Sequence, residues 1–259
     1  TCQVTMDAAK SVTATFTPNA YAITATASPA AGGTVSCSPN PVSHGASATC
    51  TATASAGYAF TGFSGDCSGP ACTLASVTGP RSVTANFRLQ SVRGDANGDR
   101  MGDLFWRETA PGLGLSWWTM NGANAAGFNY HQVPPEWQIA DVGDLDGDGK
   151  ADLVWRRASD GATYLWTLDG LGIKGFADLG ILDPATWSLA GLADLDGDGR
   201  DDIVWRNLVD GMVYAWLMDG GTIVQQGVVA VVGLEWAIVD FADFNGDGRA
   251  DILWRHSAS

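Results

Sequence analysis

From residue 104 onward the apolar positions fall in short stretches rich in branched and aromatic residues, and these stretches return at a fixed spacing. DLFWR, DLVWR, DIVWR and DILWR, closing at Arg107, Arg156, Arg206 and Arg255, predict strands. A Trp segment precedes the last three of them, in PEWQIADVGD (Trp137), ATWSLAGLAD (Trp187) and LEWAIVDFAD (Trp236). Another Trp segment follows the first three, in WTMNG (Trp118), WTLDG (Trp166) and WLMDG (Trp216). It ends in Asn121-Gly122, Asp169-Gly170 or Asp219-Gly220, pairs that favour tight hairpins. An apolar run such as GFADLGIL closes the unit. A repeat of about fifty residues therefore predicts four strands, and no long helical pattern interrupts it. With apolar residues on both strand faces, such units fit the blades of a β-propeller, where each sheet lies between two others.

Residues 1 to 92 read differently. Ala, Thr, Ser and Gly dominate, Trp is missing, and alternating stretches such as YAITATAS, SATCTATAS and RSVTANF predict strands broken by Gly, Pro and Ser turns.

Between the strands of the second region sit four acidic loops: DANGDRMGD from Asp95, DLDGDGKAD from Asp144, DLDGDGRDD from Asp194 and DFNGDGRAD from Asp243. Their first residues are 49, 50 and 49 apart. Oxygen side chains at positions 1, 3, 5 and 9, with a carbonyl at position 7, suit Ca²⁺, which takes about six to eight oxygens. An EF-hand would need a bidentate Glu at position 12 and flanking helices; position 12 here is Trp106, Trp155, Trp205 or Trp254, and strands follow. Asp, Asn and Gly are also ordinary turn formers, but four loops in register with a carboxylate at position 9 argue against plain turns.

Charge agrees. The net charge is −14, while residues 1 to 92 hold two acids (Asp7, Asp66) against three bases (Lys10, Arg81, Arg88). Fourteen of the 28 acidic residues occupy the loop positions named above. Three or four carboxylates in nine residues repel one another unless a cation neutralises them, so folding and metal binding are expected to be coupled. Nucleic acid and anionic membrane surfaces, which attract basic patches, are excluded as expected partners.

D-x-[DN]-x-D-G-x-x-D-[LI]-x-W-R, recurring with its spacing, resembles the FG-GAP or VCBS repeats of the integrin alpha-subunit head and of many secreted bacterial proteins. The resemblance covers residues 93 to 259 and implies a propeller, usually seven-bladed, with Ca²⁺ held in a loop of several blades. Carried onto this chain, it implies Asp144, Asp146, Asp148, Lys150 (carbonyl) and Asp152 as one ligand set, and Asp194, Asp196, Asp198, Arg200 (carbonyl) and Asp202 as another. The fourth loop supplies Asp243, Asn245, Asp247, Arg249 (carbonyl) and Asp251, and the first Asp95, Asn97, Asp99, Met101 (carbonyl) and Asp103. In the first loop Arg100 replaces the Gly of position 6, where a positive φ costs a non-Gly residue about 1 kcal/mol, so that site is ranked weakest.

Propellers close with about four to eight blades. Three units and the opening of a fourth fit here, so either the chain is a piece of a longer protein or separate chains complete the ring by self-association through open propeller edges. Exposed edges and an open apolar face favour the first.

In the N-terminal region TCQVTMDAAKSVTATF mirrors ACTLASVTGPRSVTANF, so Cys2 corresponds to Cys72 and the chain opens on the tail of a preceding copy. One whole copy follows, and its ASPAAGGTVS, AGYAFTGFSGDC and SVTANF segments resemble the divergent internalin B-type repeats of bacterial surface proteins, β-rich modules strung in tandem. The expected fold is thus all-β. A tail at 1–18 and a complete disulfide-containing repeat at 19–90 precede four-stranded propeller blades at 91–259, an incomplete propeller.

All five cysteines precede the propeller region. Four of them, in one module, allow three pairings; Cys67 with Cys72 and Cys37 with Cys50 are expected, leaving Cys2 odd. This points to an oxidising compartment, and no C-x-x-C pair or His cluster supports zinc instead. No signal peptide or membrane span is read in the chain.

Catalysis finds little support. His44, His131 and His256 stand in unlike contexts, and no hydrolase or zincin signature occurs. Of the eleven Trp, most recur in register and are expected between blades. Trp117 has no counterpart in the other units and is the candidate exposed platform for a ligand.

The resulting expectation is a non-enzymatic extracellular module of a bacterial surface or secreted protein. It carries up to four structural Ca²⁺ and serves adhesion or recognition of a host or cell-surface glycan or protein. A lectin-like or accessory region of a secreted hydrolase, and a structural subunit of an extracellular filament, are the alternatives.

Overall fold

The computed structural model describes residues 3–108 and 114–258; Cys2 lies outside the described residues. Among them only one three-residue 3₁₀ turn, Ala30–Gly32, is helical, and the rest of the regular structure is strand. The fold is all-β, in two compact units: residues 1–55 with 60–87, and residues 56–59 with 88–259.

In the first unit Ile23–Ser28 runs parallel to Arg81–Leu89, which shares a three-stranded sheet with Tyr58–Gly65. Gly33–Ser38, Ala48–Ala54 and Cys72–Leu74 form a second, antiparallel sheet. Alternation sends Val83, Ala85 and Phe87 inward to join Ile23, Val42, Phe63, Leu74 and Val77 in the core. Cys37 stands opposite Cys50 in the ladder and is bonded to it, and a second disulfide joins Cys67 to Cys72. The mirrored segment at the start behaves otherwise. Residues 3–19 form no strand, and Phe16 is exposed where its counterpart Phe87 is buried. The reason is pairing: Arg81–Leu89 is held by the other strands of its sheet, whereas residues 3–19 have no partner strand.

The second unit is a series of antiparallel meanders. Sheet one comprises Leu104–Arg107, Gly114–Asn121 and Asn124–Gln132. Sheet two comprises Trp137–Gly143, Asp152–Arg157, Ala162–Asp169 and Gly172–Ile181. Sheet three repeats it with Trp187–Ala193, Asp202–Asn207, Met212–Asp219 and Thr222–Val231, and Trp236–Ala242 with Asp251–His256 makes a two-stranded fourth. The expectation of three complete units needs correction. Each four-stranded sheet opens on the Trp strand before its acidic loop, so two sheets are complete among the described residues, flanked by partial ones, and they form no closed ring.

Stacking of the sheets buries the repeated aromatics. Leu115 and Trp117 of sheet one, with Val133 just beyond its last strand, pack on Leu153, Trp155 and Leu168 of sheet two. Val154, Leu165 and Leu179 of sheet two in turn pack on Ile203, Trp205, Trp216 and Met218 of sheet three. Each such ring contributes roughly 1.5–3 kcal/mol. In sheet one the equivalents of the buried pairs, Trp106 and Trp118, are 51% and 38% exposed, as no sheet of the repeat series precedes sheet one among the described residues.

The arginine that closes each Trp-Arg strand ties consecutive sheets together. Arg107 donates to the carbonyls of Gly114, Val133, Pro134 and Trp137. Arg156 donates to Leu182 and Trp187, and Arg206 to Gly211, Val232, Gly233 and Trp236. Apart from Gly114 and Gly211, at or just before the start of the next strand of the arginine's own sheet, the partners lie where one sheet passes to the next. Arg156 and Arg206 also lie over the rings of Trp205 and Trp254, at 4.6 and 5.1 Å. Because Arg206 is buried, Arg206→Met is expected to destabilise by about 3 kcal/mol through orphaned carbonyls, and Arg206→Lys to recover little, since one ammonium cannot span the same acceptors. Urea unfolding of both variants against Arg255→Met, on an exposed side chain, checks this.

Candidate metal centres

All four acidic loops adopt one hydrogen-bonding scheme. The position 1 carboxylate caps the turn: Asp144 accepts from the N–H groups of Gly147 and Gly149 at 2.8 and 2.9 Å, and Asp194 from Gly197 and Gly199 at 2.7 and 3.0 Å. Asp95 does the same for Gly98 and Arg100, and Asp243 for Gly246 and Gly248. Positions 3 and 5 make successive turns, in which Asp146, Asp196, Asn97 and Asn245 accept from the residue two further on. Asp148, Asp198, Asp99 and Asp247 in turn accept from the N–H of Lys150, Arg200, Met101 and Arg249.

Position 9 reaches further. Asp152 accepts from Leu145 within its loop and from Leu168 on the third strand, at 2.9 and 3.0 Å. Asp202 bridges Leu195 and Met218, and Asp103 bridges Ala96 and Met120, in the same way. In the fourth loop, whose sheet has two strands among the described residues, the second oxygen of Asp251 turns to Asn245 instead. The ninth carboxylate is thus a backbone strut between loop and sheet as well as an oxygen donor.

Glycine is required where the chain turns left-handed. Gly147 and Gly197 at position 4 have φ of 76° and 83°, and a Cβ there would meet the Arg200 and Arg249 side chains of the following loop at 3.1 and 3.2 Å. At position 6, Arg100 takes φ 71° where the other loops have glycine, the strained conformation anticipated from the sequence.

The loops are chained to one another. The N–H at position 8 of each loop donates to the position 1 carbonyl of the loop before it: Ala151 to Asp95, Asp201 to Asp144, and Ala250 to Asp194, at 2.5, 2.6 and 2.7 Å. Gly170 and Gly220 in the hairpin turns bond likewise to Ala96 and Leu145. Asp201 adds a contact that repetition does not foretell, its carboxylate accepting the Asp144 N–H at 2.9 Å.

Two loops bring three carboxylates together. One oxygen each from Asp144, Asp146 and Asp152 lies within 4.8 Å of the others, and Asp194, Asp196 and Asp202 repeat the arrangement. In the first and fourth loops position 3 is Asn97 or Asn245, so the same trio holds two carboxylates. An all-oxygen donor set with spare lone pairs fits Ca²⁺ and suits a softer metal poorly. The electrostatics point the same way. Burial, reinforced by neighbouring carboxylates, pushes Asp144 and Asp202 up to about 7 and Asp152 to about 8. Burial also raises Asp194 and Asp103. Asp243, in the exposed fourth loop, is lowered by the backbone N–H of Gly248. Side-chain cations already stand at two loops: Lys174 on Asp146 and Asp148 of the second, and Arg88 on Asp194 and Arg200 on Asp198 of the third.

Trp117 is not an exposed platform. It is fully buried, its Nε1 donates to the Gly170 carbonyl at 3.0 Å, and its ring stacks on His131 at 5.2 Å. Strand alternation points it at sheet two, in the register of Leu165, and sends Trp118 to the opposite, exposed face.

Comparison with known families adds to this geometry. Residues 23–91 match the divergent InlB B-repeat domain. Residues 144–205 and 194–254 match the FG-GAP-like repeat. The chain is similar to two repeat families. The FG-GAP-like match contains the second, third and fourth loops, and the first loop lies outside it. No curated protein and no solved structure matches the chain.

The two roles of the loop carboxylates separate by mutation. Asp152→Ala is expected to cost about 2–4 kcal/mol even in excess chelator, because two buried N–H groups lose their acceptor. Asp146→Ala is expected to cost under about 1 kcal/mol there and to reduce chiefly the stabilisation gained on adding calcium. Denaturant melts in chelator and in calcium check both.

Proposed function

We propose that this chain is a non-enzymatic extracellular recognition module in which Ca²⁺ ions, bound in the loops between first and second strands, hold consecutive sheets in register for adhesion. The observation that carries the reading is the convergence of three carboxylates in each of two loops inside an FG-GAP-like match. Asp95, Asn97, Asp99, Met101 and Asp103 in the first loop, and the corresponding residues of the fourth, complete the set of sites with fewer charges. Two disulfides in the InlB-like unit support an oxidising, extracellular setting. No helix among the described residues is long and apolar enough to cross a membrane. The partner class is a cell-surface glycan or protein. Calcium at saturating concentration is expected to raise the melting midpoint of the second unit by several degrees over excess chelator, with magnesium giving less, as read by calorimetry of the full chain. Equal midpoints in calcium and chelator would remove the proposal.

Carbohydrate binding is the version that a specific feature favours. A cleft of 190 Å³ between sheets one and two is walled by Pro134, Trp137, Tyr164 and Trp166, and beside it a groove carries His131, Lys174 and the exposed Phe176. Half-buried rings next to polar groups suit stacking on a sugar face. A glycan array is expected to show binding that falls on Phe176→Ala; silence of the array for the wild type points to a protein partner instead.

A further inference from the structure

The second loop has a feature that its copies lack, and its origin is a bulge. In each of the first three sheets the ladder between the last two strands skips one residue just past the hairpin turn: Ala126 in sheet one, Lys174 in sheet two and Val224 in sheet three. A bulge redirects the side chain of the residue it leaves unpaired. In sheet two that redirected side chain is a cation, and its Nζ lies 2.7 Å from Oδ2 of Asp146 and 3.0 Å from Oδ2 of Asp148. These are positions 3 and 5 of the loop. Ala126 and Val224 carry no charge to the equivalent place, and Val224 is exposed. At the third loop Arg88 pairs with Asp194 at position 1 and the loop's own Arg200 with Asp198 at position 5, so what sets the second loop apart is a single cation from the sheet that bridges positions 3 and 5.

We propose that Lys174 is a tethered counter-ion that competes with calcium for the second loop. This rests on the calcium reading given above. The ammonium offers three donors and one charge to oxygens that a divalent ion needs, so calcium must displace it from Asp146 and Asp148. Half of the lysine side chain is in solvent, so it can swing away along its four-carbon stem once the ion enters. Its presence has opposite effects in the two states. Without metal it relieves repulsion among Asp144, Asp146, Asp148 and Asp152; with metal it weakens binding. The second loop therefore keeps its shape at low calcium and fills only at higher calcium than its carboxylate count would set.

Equilibrium dialysis of the full chain with radioactive calcium, on wild type, Lys174→Met and Lys174→Arg, tests this. Lys174→Met keeps the stem, removes the charge and is expected to tighten one class of site roughly three- to tenfold, whereas Lys174→Arg stays near wild type. Melting supplies the second readout: Lys174→Met is expected to melt below wild type in chelator yet to gain more from calcium, a reversal that a merely structural lysine would not give. Val224→Lys is expected to weaken the third loop in turn. Calcium binding that is identical in wild type and Lys174→Met overturns the inference alone. Failure of every variant to bind calcium overturns it together with the calcium reading.

Discussion

Carboxylates that the fold buries must be compensated, and most of the second unit is arranged around that requirement. Asp152 and Asp202 sit in dry surroundings because each must reach both its own loop and the third strand of its sheet. Backbone N–H groups satisfy one lone pair on each oxygen. They do not remove the charge, and burial raises both carboxyls above the ordinary carboxylate range. A divalent ion removes it; lysine and arginine relieve part of it from the rim. The Coulomb problem and the architecture are therefore one, since the residues that concentrate charge are those that fasten loop to sheet.

That coupling extends from sheet to sheet. Each loop gives its position 8 N–H to the carbonyl of the loop before, and lays its position 7 side chain over the glycine at position 4 of that loop. At the far end of the same strands an arginine gathers the carbonyls where one sheet passes to the next. Between these two fastenings lie the tryptophan layers. A sheet is thus held at its loop, its apolar face and its closing arginine, and ordering one loop restricts the next. Such nearest-neighbour linkage is what repeat architectures rely on for stability. It also accounts for Trp106 and Trp118 standing exposed in the first sheet, which has no earlier sheet of the series beside it among the described residues.

Much of this was legible in the chain. Register of the acidic loops, the hairpin pairs and the Trp segments predicted four-stranded sheets, and Asn121-Gly122, Asp169-Gly170 and Asp219-Gly220 do close hairpins with left-handed glycines. The strain at Arg100 follows from its place in the loop alone. Other features were hidden. The closing arginines recur as visibly as the tryptophans, but recurrence does not say what a side chain touches. Lys174 carries no signal, because its role depends on a bulge that period-2 alternation cannot foresee. Trp117 lacks a counterpart in the other units, which suggests an exposed platform, but a strand position facing another sheet is buried whatever occupies it.

The amino-acid sequence by itself determined the local units: strands from alternating and branched residues, turns from Asn-Gly and Asp-Gly, and acidic loops whose chemistry lies within nine consecutive residues. These properties depend on contacts a few residues apart, so linear spacing specifies them. Tertiary structure alone decided which loops gather three carboxylates, which ring is buried, which lysine reaches which acid and where a unit begins. Those outcomes depend on what packs against each sheet face and on how a bulge turns the chain, and both are set by neighbours distant in sequence.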